Sequence, residues 1–279
     1  MILNWWVINR TRTLKAKWQF KIVIIMNNEV SSNYLYHFTK KIDSIQNILI
    51  DKAFKPFYCL ERLDYLSIYD ESGKSFELAF PMVCFCDLTE DKQQKHRDKF
   101  GEYSISLSKD WGIKKILTPV TYCSERTHSA LSLKILIQHA KKIQNIIPEE
   151  QFDKLNKSLS IFLMHFKSYE GYEYDKNLKS FNLSKTRFYD EREWRYFPLV
   201  DEANWNLTRE QYENESYLKV ENLKIQKNNC LNFNLSNIVQ IQLKDEKEID
   251  FLLNKLKGKY SEEELSILND KIKIVNDGV

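Results

Sequence analysis

Three residues in strand-like stretches of the chain have side chains that could take part in chemistry. They are His37 in the run LYHFT, Tyr103 in the run GEYS and Glu193 in the run DEREWRY. An imidazole can hold a hydroxyl group by a hydrogen bond, an aromatic ring can stack on a planar group, and a carboxylate can stabilise positive charge. The three residues are far apart in sequence, so only a sheet that joins distant strands could place them around one cleft.

The stretch around Glu193 has two interpretations. On a strand, Glu191, Glu193 and Arg195 share one face, and the aromatic residues lie on the other face. Glu193 could therefore face a cleft, or it could form an ordinary ion pair with Arg195, its next-but-one neighbour. His37 is equally open, because a histidine between aromatic residues is often a hydrogen-bonded core residue.

Other catalytic patterns are missing from the sequence. There is no GxSxG elbow, glycine-rich phosphate loop or GxGxxG motif, and the chain has only six glycines. An odd number of irregularly spaced cysteines argues against a disulfide framework, and no Cys-His setting indicates a thiol protease. Cys84 and Cys86 would share one face of a strand, but no CxxC or HExxH pattern supplies further metal ligands. Packed, reduced core thiols are the favoured interpretation, and no metal is expected.

The composition is typical of a globular protein with a sizeable core. Of 279 residues, 43% are hydrophobic and 29% are charged, while glycine and proline are scarce. We expect one α+β domain over residues 26–279, with a helical insertion at about 126–168 whose two helices pack on each other and not on the cleft face of the sheet. The net charge of +3 is uneven: residues 1–25 hold five basic and no acidic side chains, so the remainder is at −2. The charge therefore gives no indication of a nucleic-acid partner.

The first 25 residues are the unusual part of the chain. Their two apolar runs are short and are split by a basic stretch, so neither approaches the roughly 20 residues that a membrane span needs. The order of charged and apolar residues also differs from that of a secretory signal. We expect residues 1–25 to be a non-native extension upstream of Met26, and the protein to be cytoplasmic. The alternative is a basic amphipathic segment that lies on a membrane surface.

Apolar periodicity and turn residues define the remaining elements. The predicted strands cover residues 33–38, 81–86, 103–107, 119–123, 193–199, 217–226 and 237–243. The predicted helices cover residues 41–52, 89–99, a short stretch capped by Ser108, two segments within 126–168, and residues 245–257 and 261–269. This pattern predicts an α+β fold with a mostly antiparallel core and a helical C-terminus.

Four runs of the sequence resemble the AbiGi family of abortive-infection, phage-resistance proteins. In order, they are LYHFT, PMVCFCDL, GEYSISLSKDWGIKKILTPVTYC and FYDEREWRYFP, which cover most of residues 33–200. The resemblance implies a role in bacterial phage defence as an antitoxin, with a cognate toxin protein encoded nearby as the partner.

The same order of motifs is similar, over shorter runs, to proteins of the ADP-ribosyltransferase type. That likeness implies a split antiparallel sheet and a cleft for NAD. It gives Glu193 the role of the catalytic carboxylate and His37, with Thr39 beside it, the role of holding the ribose. Tyr103 would stack on the nicotinamide ring. Two functions thus stay open: an antitoxin that restrains a partner, and an active NAD-dependent transferase that modifies a protein or nucleic acid during infection.

Overall fold

The computed structural model describes residues 30–69, 73–175, 177–198 and 204–275. The expectation for residues 1–25 concerns a stretch outside these ranges. The strands are β1 (Tyr34–Thr39), β2 (Ala53–Phe54), β3 (Phe57–Arg62), β4 (Glu77–Cys86), β5 (Tyr103–Ser108), β6 (Thr118–Pro119), β7 (Thr121–Cys123), β8 (Phe166–Ser168), β9 (Tyr174–Asp175), β10 (Ser180–Phe181), β11 (Glu193–Tyr196), β12 (Leu207–Thr208), β13 (Leu231–Asn232), β14 (Ile238–Leu243) and β15 (Ile272–Ile274). The α-helices are α1 (Ile42–Asp51), α2 (Gln94–Phe100), α3 (Lys109–Lys114), α4 (His128–Ile143), α5 (Glu149–Met164), α6 (Arg209–Glu213), α7 (Glu215–Asn229), α8 (Lys247–Leu256) and α9 (Glu262–Asp270).

A nine-stranded sheet forms the centre of the described chain. Its main path has the order β15-β14-β5-β1-β4-β11-β6, and β3 and β12 also pair with β4. The pairs in this sheet are antiparallel except for β14 with β15, which is parallel. The predicted α+β fold with a mostly antiparallel core is therefore confirmed.

The long strand β4 changes its pairing partners along its length. Near its C-terminal end, Cys86 is paired with Tyr36 of β1, which is the one register position that the two strands share. Towards its N-terminal end, β4 pairs with β3 over the stretch from Glu77 to Met82. Because β1 leaves β4 so early, the sheet opens between β1 and β3.

The two faces of the sheet pack against different helices. Residues that are directly paired share a face, and so do residues two apart on one strand. Leu35 with Leu107, and His37 with Ile105, therefore lie on one side, the Leu35 face, where α1, α3, α8 and α9 complete the main core. Cys86 and Glu193 are paired and lie on the opposite side, the Glu193 face. Met82, four residues before Cys86 on β4, lies on this second face with α4 and α5.

Several local signals produce the expected elements. In α1, Ile45 and Leu49 are fully buried one turn apart, and the helix ends at Lys52 in the left-handed conformation. The Ser108 side chain caps α3 by accepting a hydrogen bond of 3.2 Å from the backbone N–H of Trp111. The predicted helix at 41–52 and the predicted cap are both confirmed.

Some predicted elements have different bounds. The polar helix expected at 89–99 is a 3-10 turn (Glu90–Lys92) followed by α2, and the strand expected at 119–123 is divided into β6 and β7. The strand around Glu193 is shorter than expected and ends at Tyr196. Strands β3 and β15 have no predicted counterpart.

The prediction of a strand at 217–226 is wrong, because this stretch lies inside α7. Asn214 starts the helix by accepting a hydrogen bond of 3.1 Å from the backbone N–H of Tyr217. Leu218 and Ile225 are two turns apart, and their side chains join a cluster with Tyr58. The cap and this packing surface stabilise a helix in a sequence whose apolar residues also nearly alternate.

The two helices expected within 126–168 are α4 and α5. The expectation that they pack on each other but not on the cleft side of the sheet is wrong. Leu133 of α4 and Leu163 of α5 form one apolar cluster with Phe80 and Met82 of β4. The amphipathic helices find their apolar partner surface on the Glu193 face as well as on each other. No helix of the described residues is long and apolar enough to cross a membrane.

Gly101 joins α2 to β5 at a close contact with β1. Its φ angle of +114° lies in the region that favours glycine, and a Cβ atom there would approach the Thr39 carbonyl oxygen to 2.1 Å. Gly258 also has a positive φ, of +81°, but a Cβ atom there would meet no atom within 4 Å.

We expect Gly101→Ala to lower the free energy of unfolding by about 3–5 kcal/mol, because backbone strain and a backbone clash add together. The matched variant Gly258→Ala has the strain alone and should cost about 1–2 kcal/mol. Urea unfolding of both variants measures the difference. Equal losses would show that Gly101 is not a close-contact position.

Candidate functional site

A cavity of about 740 Å³ occupies the opening in the sheet, and residues of β1, β3, β4, α2 and β11 line it. Its size lies within the roughly 300–1,000 Å³ typical of small-molecule sites. His37, Thr39 and Glu193 all contribute to its lining, although 156 positions separate His37 from Glu193. Three of the four residues selected from the sequence thus line one cavity, but His37 and Thr39 reach it from the Leu35 face and Glu193 from the Glu193 face. Their chemical roles stay predictions.

His37 bridges the gap between β1 and β4. Its ring Nδ1 donates a hydrogen bond of 2.8 Å to the Cys84 carbonyl oxygen, and the rings of Phe54 and Phe85 lie 5.0 and 5.6 Å from its own. Burial lowers the pKa of His37, so the imidazole is neutral. With the proton on Nδ1, the other ring nitrogen, Nε2, is a hydrogen-bond acceptor.

Glu193 is buried at the start of β11 and is surrounded by hydrogen-bond donors. Arg195 donates from Nε to Oε1 at 2.8 Å and from Nη2 to Oε2 at 3.1 Å, and Lys167 donates to Oε2 at 2.7 Å. Cys84, which is paired with Arg195 on the neighbouring strand β4, lies on the same face as this carboxylate. Burial alone would raise the pKa of Glu193, but the charges of Arg195 and Lys167 outweigh it and hold the pKa far below its usual range.

Arg195 is fully buried and connects three elements. Besides Glu193, it donates from Nη1 to Oε2 of Glu61 on β3 at 3.1 Å and to the backbone carbonyl of Met164, the last residue of α5, also at 3.1 Å. Its Nη2 donates to the other oxygen of Glu61, so the pair is bidentate. The ion pair foreseen between Glu193 and Arg195 is present, but it is buried and not on the surface.

A series of ion pairs connects Arg195 to Lys99 of α2. Lys167 of β8 binds Glu193 and also Glu191, to which it donates at 2.7 Å. Lys99 of α2 contacts Glu191 and Glu173. The connected side chains are four carboxylates and three cations, with a formal charge of −1: Glu61, Glu173, Glu191, Glu193, Lys99, Lys167 and Arg195. We call this set the buried charge network.

Tyr103 does not belong to the cavity lining, which corrects its selection as a stacking residue. It is paired with Thr39 and therefore lies on the Leu35 face, against α8. Its hydroxyl donates a hydrogen bond of 2.7 Å to Glu248 of that helix. Thr39 lines the cavity, but its hydroxyl donates at 3.0 Å to the backbone carbonyl of Lys41.

Sequence reasoning missed most members of the buried charge network. Glu61 lies on β3, whose run FYCLER alternates and could have been recognised as a strand. Lys99 and Lys167 had no local signal, because their partners are 74 to 92 and 24 to 26 positions away. No disulfide joins the five cysteines, and within the described ranges no group of three or more side chains could hold a metal ion.

Comparisons with known proteins identify similar chains. A family model described as "Putative abortive phage resistance protein AbiGi, antitoxin" matches residues 52–244, which include Glu61, Lys99, Lys167 and Glu193. A protein from Lactococcus lactis subsp. cremoris named "Abortive phage resistance protein AbiGi" is 32% identical over 248 residues, covering 81% of this chain and 98% of that protein. No solved structure matches the chain.

We expect Arg195→Met to lower the free energy of unfolding by about 3–5 kcal/mol, because Glu61 and Glu193 lose the partner that offsets their burial. The control is Lys154→Met, which breaks an exposed pair with Glu150 and should change stability by less than about 1 kcal/mol. Urea unfolding provides both values. A small effect at Arg195 would show that the network contributes little to folding.

The stability that Glu193 contributes should depend on pH with a definite sign. Its folded-state pKa is lowered from the ordinary value of 4.5, so this contribution is complete above about pH 4.5 and declines as the pH falls towards the folded-state pKa. The stability gap between wild type and Glu193→Gln should therefore narrow below about pH 4.5, by up to about 1.4 kcal/mol per pH unit. Urea midpoints between pH 6 and 3.5 measure it, and a gap independent of pH would contradict the lowered pKa.

Proposed function

This chain belongs to the AbiGi family of abortive phage resistance proteins, and on that premise we propose that its cavity binds NAD and transfers the ADP-ribosyl group during phage infection in the cytoplasm. The family membership confirms the resemblance found in the sequence and supports a role in phage defence. The proposal for NAD rests on the chemistry of the cavity, since fold alone does not define a function.

The observation that supports this activity best is a carboxylate kept ionised at an open cavity. When the bond between the ribose C1′ and nicotinamide breaks, its electron pair goes to the ring nitrogen and positive charge develops on the ribose. The acceptor then bonds to C1′ and releases its proton. Glu193 and the net charge of −1 on the buried charge network would stabilise that positive charge without having to reorganise.

The contacts of Glu193 define how it would act. A carboxylate has about four sites for hydrogen-bond donors, and Arg195 and Lys167 fill three of them. We therefore assign Glu193 an electrostatic role and not the role of holding a ribose hydroxyl. His37 can hold that hydroxyl for a ligand that extends through the opening of the sheet, because it lines the cavity from the Leu35 face. Its Nδ1 is fixed by the Cys84 carbonyl, and its Nε2 can accept a hydrogen bond.

The rest of the cavity supplies groups that suit a dinucleotide. Phe54 and Phe57 give it apolar walls. Lys55 and Arg62, which are paired with Asp51 and Asp64, supply hydrogen-bond donors for a diphosphate. The Arg62 guanidinium is held 4.9 Å from the ring centre of Tyr172 and bonds Asp64 at 2.9 Å, which fixes its position.

A second candidate function is restraint of a toxin protein, and the family description, which contains the word antitoxin, favours it. In that case the partner would be a protein encoded beside this one. The two functions differ in what they require of Glu193, because a binding surface for a partner needs no ionised carboxylate inside a cavity.

We expect Glu193→Gln to lower nicotinamide release from NAD by about 10²–10³-fold, because the fixed negative charge is lost. Glu193→Asp keeps the charge and should retain more turnover, and Glu150→Gln, at an exposed position of α5, should have no effect. Purified proteins are incubated with NAD with and without infected-cell extract, and circular dichroism checks folding.

Three outcomes separate the candidate functions. Loss of phage protection together with turnover in Glu193→Gln supports the transferase. Absence of nicotinamide release by wild type under both conditions contradicts it. If a folded Glu193→Gln variant protects cells from the neighbouring protein as well as wild type does, the antitoxin function is favoured.

A further inference from the structure

A row of aromatic rings lines the cavity beside the buried charge network. Phe38 of β1 and His96 of α2 have ring centres 4.9 Å apart, and Phe100, one turn after His96, lies 4.4 Å from it. All three rings are half-buried and contribute to the cavity lining. Phe38 is two residues after Tyr36, so it lies on the same face of the sheet as Glu193.

Two lysines of the protein already form cation–π contacts with aromatic rings next to this row. The Lys99 ammonium lies 4.7 Å from the ring centre of Phe100, and the Lys167 ammonium lies 4.8 Å from that of Phe188. Both distances are within the roughly 6 Å of a cation–π contact. The two lysines are bound by Glu191, so this wall of the cavity combines aromatic faces with carboxylates.

His96 belongs to this wall as a neutral ring. Burial lowers its pKa to about 4; Glu191 and Glu193 oppose that shift, and Lys99 and Lys167 add to it. At physiological pH the imidazole therefore offers an aromatic face and no positive charge. A cationic ligand would meet no repulsion from it.

We propose that Phe38 and His96 form a subsite for a planar cationic ring, which is the nicotinamide ring if the cavity binds NAD. The identity of the ring rests on the proposed function, whereas the preference for a cation rests on the aromatic wall and the net charge of −1 beside it. The assignment replaces Tyr103, which bonds Glu248 of α8 and does not line the cavity. It also places the departing ring next to the carboxylates that would stabilise charge on the ribose.

The test uses small probes that contain the ring alone. 1-Methylnicotinamide, which carries its methyl group on the ring nitrogen, is a cation, and nicotinamide has nearly the same shape without the charge. Ligand-observed NMR titrations give the dissociation constant of each probe for wild type, Phe38→Leu, His96→Leu and His96→Phe. The control is Phe251→Leu, which removes an exposed ring of α8 that has its own lysine neighbour, Lys255 at 5.8 Å, but is outside the cavity lining.

We expect wild type to bind the cation more tightly than nicotinamide. Phe38→Leu and His96→Leu should weaken cation binding about 3- to 30-fold, whereas His96→Phe, which keeps a neutral aromatic ring, and Phe251→Leu should bind it as wild type does. Equal binding of the two probes, or equal cation binding by wild type and both leucine variants, overturns the subsite. Loss of cation binding in His96→Phe contradicts the role of His96 as a neutral aromatic face.

Failure of this inference is distinguishable from failure of the proposed function. If the leucine variants lose the cation but wild type releases no nicotinamide from NAD, the cation subsite stands and the transferase activity fails. If wild type turns over NAD and the leucine variants keep wild-type binding and turnover, the activity stands and the subsite fails.

Discussion

The guanidinium of Arg195 is the group on which the site depends. It is fully buried, and burying a charge without partners would cost several kcal/mol. Glu193 on its own strand, Glu61 on β3 and the last carbonyl of α5 together satisfy it. The single side chain of Arg195 thus fixes the relative positions of α5, β3 and β11. The cavity opens beside this contact.

The two faces of the sheet differ in what they contribute: one holds the main apolar core, and the other holds most of the charged groups at the cavity. On the Leu35 face, α1, α8 and α9 bury the largest apolar cluster and stabilise the fold. On the Glu193 face, apolar packing by α4 and α5 gives way to charged and aromatic side chains around the cavity. His37 lies on the Leu35 face and joins the two strands at the opening, because its backbone belongs to β1 while its ring bonds the backbone of β4.

Family membership and site chemistry support different parts of the functional conclusion. Membership in the AbiGi family supports phage defence, and it is independent of any residue role. The NAD proposal rests on an ionised carboxylate, a neutral histidine and a cavity of suitable size. A buried network with more carboxylates than cations favours a ligand that carries or develops positive charge. Both the proposed transferase activity and the proposed cation subsite depend on this preference.

The sequence by itself determined the elements whose signals are local. Apolar spacing identified α1, α4, α5, α8 and α9, the Ser108 cap was visible, and the strand candidates included β1, β4, β5, β11 and β14. The same reasoning chose His37 and Glu193, since polar side chains within aromatic strands are conspicuous. Sequence reasoning wrongly predicted a strand where α7 lies, because a short apolar pattern fits both the helical and the strand period. The surface against which Ile225 packs comes from distant parts of the chain.

Only the tertiary structure decided which side chains meet. Arg195 and Glu61 are 134 positions apart, and no local period indicates that they pair. Tyr103 and Phe38 illustrate the same limit: both are aromatic and sit on neighbouring strands, but strand pairing places one against α8 and the other in the cavity. Side-chain periodicity shows which residues share a face of a strand, whereas the register between distant strands determines what that face contacts.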